Sequence, residues 1–156
     1  MRECAHRIVI NAPPAAVLDA FFDADALADC WQVTRAICVP RPFGSYAMEW
    51  APRPGQAHTS DPLSGTLHGT VVEFTAGHEF FVADLYWHPS SGGDAIGPMA
   101  LEATCQLEGT VAVLQVRQSG YDTTSASWTH YYNMMSARWP RWLEALKTHL
   151  EQRWAE

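Results

Sequence analysis

The chain has 156 residues, 47% of them hydrophobic and 17% charged, with seven tryptophans; this excludes disorder and gives one domain, residues 1–156, a sizeable core rich in aromatic groups. Its formal net charge of -7 comes with only ten scattered Lys and Arg, which argues against nucleic acid, whose phosphates call for clustered cations, and likewise against an anionic membrane surface. MRECAHRIVI has no apolar signal core and no apolar run reaches about 18 residues, so a cytoplasmic location is expected and no membrane span.

In chain order, RIVI at 7–10 reads as a strand. Pro13 and Pro14 end it and open a helix at its first turn, because proline supplies no backbone donor and its fixed φ suits that position. Val17, Leu18, Phe21 and Phe22 fall at helical spacing. Asp23 or Asp25 caps a second brief helix through Ala26, Leu27 and Ala28, after which Trp31 is expected to re-enter the sheet. WQVTRAICV and SYAMEW read as strands around the turn RPFG, and a Pro- and Gly-containing loop follows from Ala51 to Ser64.

Two hairpins follow, each with a two-residue turn. Around Gly77-His78, pairing Ala76 with Glu79 sets Phe74 opposite Phe81, Val72 opposite Ala83, Thr70 opposite Leu85 and His68 opposite Trp87 on an apolar face; Glu73, Val71, Val82, Asp84 and Tyr86 take the other. Around Glu108-Gly109, Leu107 faces Thr110, Cys105 faces Ala112, Ala103 faces Leu114, Leu101 faces Val116 and Met99 faces Gln118, with Glu102–Gln115 and Ala100–Arg117 on a wet face. Trp128, Tyr132, Met135, Trp139, Trp142, Leu146 and Leu150 then recur at steps of three and four, the stripe of a long amphipathic helix. Capped by Thr124 or Ser125 and ending near Gln152, it would span about 40 Å, and Pro140 is expected to kink it.

Four segments together resemble a known family: APPAAVLDAFFDADALADCW at 12–31, RPFGSYAMEW at 41–50, HGTVVEFTAGHEFFVADLYW at 68–87 and RWLEALKTHLE at 141–151. They are similar to the START-like SRPBCC superfamily and, within it, to the activator-of-heat-shock-protein-90-ATPase homologue group. The resemblance implies an α+β helix-grip fold: a curved antiparallel sheet of about six to seven strands, two short helices, and one long C-terminal helix over a cavity. It also implies a small apolar or aromatic ligand in that cavity. Full-length co-chaperones carry a second, N-terminal domain that the resemblance does not cover and that is not expected here, so ATPase activation is not implied, and Arg141 precedes Trp142 where the family's motif has glycine. The superfamily shares no catalytic motif, so no catalytic residue is carried over.

On this reading the cavity is lined by His68, Trp87, Met99, Gln118, Trp128, Tyr132, Met135 and Trp139. Pockets combine apolar walls with few polar groups, and His68, Gln118 and Tyr132 would orient the ligand. The plainer reading of each is structural: a lone inward histidine usually satisfies the core, and an aromatic stripe at helical spacing is usually packing. The N-terminal half of the last helix is expected to line the cavity while Trp142, Leu146 and Leu150 pack the sheet.

His58, His68, His78 and His88 recur every ten residues. In the proposed register one lies in a loop, one in a turn, and His68 and His88 on opposite faces, so no metal site is expected. Glu73 and Asp84 are diagonal neighbours on a solvated face rather than an acid–base pair. Cys4, Cys30, Cys38 and Cys105 form no CxxC and read as reduced, small hydrophobes, and no GxSxG, HExxH, P-loop or GxGxxG is present. No catalytic residue, cofactor or metal is therefore expected. Two alternatives stand beside ligand binding. One is a polyketide cyclase or dehydratase using His68 or Tyr132 as acid or base. The other is a partner-binding, co-chaperone-like module working through the outer sheet face near Tyr86 or the 51–64 loop, with a homodimer among its partners.

Overall fold

Pro14 occupies the first turn of α1 (Pro14–Asp19), directly after β1 (Arg2–Ile10), as the missing proline donors dictate. The computed structural model describes residues 2–52, 64–122 and 124–154; His58 and most of the 51–64 loop lie outside them. Asp23 caps α2 (Ala24–Trp31), its side chain accepting from the Asp25 N–H at 2.9 Å. Trp31 does not re-enter the sheet but closes this helix. Gln32 then takes a left-handed backbone (φ 58°) with its N–H bonded back to the Leu27 carbonyl, which turns the chain outward before β2 (Arg35–Cys38).

The remaining elements are β3 (Ser45–Trp50), β4 (Gly65–Thr75), β5 (Glu79–Pro89), β6 (Ile96–Glu108), β7 (Val111–Tyr121) and α3 (Ala126–Trp154). Seven antiparallel strands form one sheet in the order β1-β7-β6-β5-β4-β3-β2, with α3 across one face: an α+β helix-grip. Among the described residues no helix is long and apolar enough to cross a membrane.

The β6–β7 hairpin keeps its expected face but slips by two residues. Glu108 pairs with Val111, Cys105 with Leu114 and Leu101 with Gln118, so the turn is Gly109-Thr110. An even slip preserves side-chain parity, and Met99, Leu101, Ala103, Ala112, Leu114 and Val116 stay buried.

The β4–β5 hairpin departs further. Its loop holds three residues, with Gly77 left-handed (φ 74°) and the His78 N–H closing onto the Thr75 carbonyl. Thr75 therefore pairs with Glu79, Phe74 with Phe80, Leu67 with Trp87 and His68 with Tyr86, an odd shift that exchanges faces. Left-handed Asp84 (φ 51°), where the pairing with β6 changes register, then inserts an extra residue, so Phe80 and Val82 on one side and Leu85 and Trp87 on the other all point inward. A second irregularity, in β4 between Val71 and Glu73, turns that strand over as well, so Val71 and Val82 are core rather than solvent-facing, Val72 is 51% exposed, and His68 lies on the outer face instead of beside Trp87.

Ser125 Oγ accepts the Trp128 N–H at the start of α3, which at 29 residues spans about 43 Å. Its buried stripe is Tyr131, Met135, Trp139, Trp142, Leu143, Leu146 and Leu150. The C-terminal half is tied to β1: Lys147 Nζ donates to the Val9 carbonyl (2.9 Å) and to Glu151 (2.7 Å), which also accepts the Asn11 N–H (2.8 Å).

Candidate functional site

Where α2 and α3 meet the concave sheet, tryptophans dominate. Trp142 stacks on Trp31 (centroids 5.0 Å, planes 20° apart) and on Trp50 (5.8 Å, 1°), while Trp139 meets both Trp31 and Trp142 edge to face. Each indole N–H in this group that hydrogen-bonds does so internally: Trp31 donates to the Trp142 carbonyl (3.1 Å) and Trp50 to the Trp31 carbonyl (2.9 Å).

Gln118, 1% exposed, is the polar centre of this interior. Trp139 Nε1–H donates to its Oε1 at 2.8 Å; its Nε2 donates to the Tyr131 hydroxyl at 3.2 Å and lies 3.6 Å from Met99 Sδ. Tyr46, which lines the same space, is fully buried, and its hydroxyl has no hydrogen-bond partner among the described residues. Burial pushes the Tyr46 and Tyr131 hydroxyls above the ordinary tyrosine range, so neither is a base near neutral pH. The space lined by Tyr46, Met48, Gln118, Met135, Trp139 and Trp142, among others, is only about 10 Å³, roughly room for one water.

Of the residues expected there, Gln118, Met135 and Trp139 line this space, Met99 touches Gln118, and Trp87 is buried behind them against Trp50 and Tyr131. Trp128 and Tyr132 lie instead beside Tyr121 towards the β1 edge, the Tyr132 hydroxyl 3.5 Å from the Glu3 carbonyl; Tyr131, one residue earlier, is the inward tyrosine. His68 is absent from the interior. Among the described residues no histidine or carboxylate lines the space, so the acid–base roles given to His68 and Tyr132 find no support in its geometry.

Sequence reasoning passed over Tyr46, Met48 and Trp50, although their period-two spacing in SYAMEW is the signal of a buried strand face. It also gave Trp31 to a strand.

The cysteines are free; burial raises Cys30, Cys38 and Cys105 to about 11, which leaves them protonated and unreactive. A larger open groove of about 540 Å³ crosses the exposed faces of β1, β7 and β6. Its charges are paired, Arg117 with Glu102 at 2.6 Å and with Glu3 at 3.8 Å and Arg7 with Glu108 at 3.6 Å, which makes it a poor place for an apolar molecule. Among the described residues no three His, Cys, Asp or Glu side chains gather as a metal set.

No protein-family model and no curated protein matches the sequence. Solved structures do. A protein from Chromobacterium violaceum is 20% identical with a TM-score of 0.73, covering 97% of this chain and 99% of its own. The Aha1 dimer from Colwellia psychrerythraea is 17% identical with a TM-score of 0.64 over 97% of each chain. DynU16, from the dynemicin biosynthetic locus, is 14% identical with a TM-score of 0.65, covering 96% of this chain but 47% of its own. At these identities the likeness shows the fold alone, a helix-grip with a long C-terminal helix across a curved antiparallel sheet.

Proposed function

We propose that this chain binds a small, flat apolar or aromatic molecule carrying one hydrogen-bonding group, held between α3 and the concave sheet face. The observation that carries the reading is the buried amide of Gln118 beside Trp139, lining one space with Tyr46, whose buried hydroxyl has no partner among the described residues. An aromatic wall with one or two fixed polar groups is what such a ligand needs: the wall supplies apolar burial and the polar groups fix orientation. The unsatisfied hydroxyl points the same way, since a buried donor without a partner is costly unless something completes it.

A drug-sized ligand needs several hundred Å³, far more than the present space, so binding requires Met135 and Trp139 to move outward. The helix is built for that motion to stop at its middle. Pro140 offers no N–H to the Ser136 carbonyl, while the segment beyond it is tied to β1 through Lys147 and Glu151.

The test is thermal unfolding against a panel of aromatic and fatty compounds, where a ligand at about 100 times its Kd adds about 2.7 kcal/mol of stability. Gln118→Met and Tyr46→Phe preserve shape and should each weaken a hit about tenfold; unchanged affinity in both removes the ligand from this place.

A second reading, self-association, has its own observation. Phe43 is 91% exposed on a left-handed backbone (φ 67°), its N–H bonded to Val71 beside exposed Val72, and one similar structure is a dimer. Light scattering should find a dimer that Phe43→Ser dissociates; a monomer at every concentration rejects it.

A further inference from the structure

His68 on β4 and His88 on β5 stand side by side on the outer sheet face, opposite to the α3-covered interior. Their Nε2 atoms are 2.8 Å apart and their rings are nearly parallel, with centroids 4.8 Å apart and planes 14° apart. The pairing His68↔Tyr86 and Thr66↔His88 puts the two rings on diagonal neighbours of one face, so the register brings together two histidines twenty residues apart.

We infer that His68 and His88 form a two-imidazole site for one divalent transition-metal cation of the Cu²⁺, Ni²⁺ or Zn²⁺ class. Two imidazole nitrogens bound at about 2.05 Å and a right angle lie about 2.9 Å apart, and at the tetrahedral angle about 3.3 Å. The observed separation is thus already that of a chelated pair: the two nitrogens share a hydrogen bond, and an ion would take the place of the shared proton once both rings turn their lone pairs towards it. Nitrogen donors of this kind suit these cations, with Cu²⁺ bound most tightly.

The surroundings hold and expose the pair. Tyr86 packs beside His68 (5.9 Å, 27°), and it can do so because residue 97 is glycine: a Cβ there would lie 2.5 Å from Tyr86 Cδ1. Cross-strand neighbours Ala47 and Thr66 are short, and both histidines are exposed, so the remaining coordination positions are open to water or to an incoming donor. His78 sits at the far end of the hairpin, about 30 Å away, and takes no part.

The experiment is isothermal titration of the untagged full chain with CuCl₂, NiCl₂ and ZnCl₂, repeated on His68→Ala, His88→Ala and His78→Ala. The site predicts one ion per chain in the order Cu²⁺ above Ni²⁺ and Zn²⁺. Affinity should fall at least tenfold in either His68→Ala or His88→Ala, stay unchanged in His78→Ala, and the Cu²⁺ absorption band should change with it. Because both side chains are exposed, all variants should keep the wild-type far-ultraviolet spectrum. Wild-type binding no tighter than about 100 µM, or equal binding in His68→Ala and His88→Ala, overturns the inference.

Discussion

Replacing Tyr46 by Phe deletes one oxygen and nothing else, and the structure fixes the sign of the effect. Tyr46 is 0% exposed, its ring meets Phe22 edge to face at 5.2 Å, and its hydroxyl has no partner among the described residues. The ring contacts survive the substitution, so the change in stability is the penalty of a buried, unpaired hydroxyl, about 1–3 kcal/mol. Allowing for lost contacts of the oxygen itself, the free protein should gain about 1–2 kcal/mol, a rise of a few degrees in Tm for a chain of this length. Urea unfolding followed by tryptophan fluorescence reads this directly, with an unchanged m-value showing that the native state is the same. The same variant should bind ligand less well, so stability and binding move in opposite directions. A Tyr46→Phe protein less stable than wild type by more than about 0.5 kcal/mol would refute the reasoning, because the hydroxyl would then have a partner holding it.

Gln118→Met, of nearly equal volume, should do the reverse in the free protein: it strands the Trp139 N–H and the Tyr131 hydroxyl, and urea unfolding should show a loss of about 1–3 kcal/mol. Asp23→Ala removes the cap of α2 and should cost about 0.5–2 kcal/mol by the same assay. Glu151 is held below its usual carboxylate value by the Lys147 ammonium and the Asn11 N–H, so its contribution is present above about pH 4.5 and is lost as pH falls through the lowered folded value. Glu151→Gln should therefore lower stability at pH 7 and flatten its decline between pH 5 and 3, seen in urea midpoints across that range. His6 is pushed the other way from its charged form by burial: the unfolded chain takes up a proton near pH 6.5 that the folded chain resists, so stability falls from pH 7 to 5, and His6→Leu should reduce that slope.

The helical corner was legible because prolines and aspartate act locally: Pro14 and Asp23 stand at the helix starts that their chemistry requires. The α3 stripe was legible by period, yet steps of three and four from Trp128 lead to either Tyr131 or Tyr132, and only packing against Gln118 and Trp87 selects Tyr131. In β6–β7 alternation alone found the inner face and placed Gln118 on it, because a slip of two leaves parity untouched. In β4–β5 the same rule failed. Two bulges that leave no clear mark in the sequence decide it: the one between Val71 and Glu73 in β4 turned His68 out of the interior, and the one at left-handed Asp84 in β5 put His88 on the same outer face beside it. Nor does any local pattern tell that aromatic side chains from α2, β3 and α3 fill the space under the helix. That fit belongs to the packed molecule.

The central claim, a small molecule held between α3 and the sheet, is tested most directly by native mass spectrometry of the purified chain, followed by denaturation and analysis of what is released. The account predicts a fraction of molecules heavier by one flat, apolar compound, diminished in Gln118→Met. A mass equal to the bare chain in every preparation, together with no stabilisation by any aromatic or fatty compound, would contradict it.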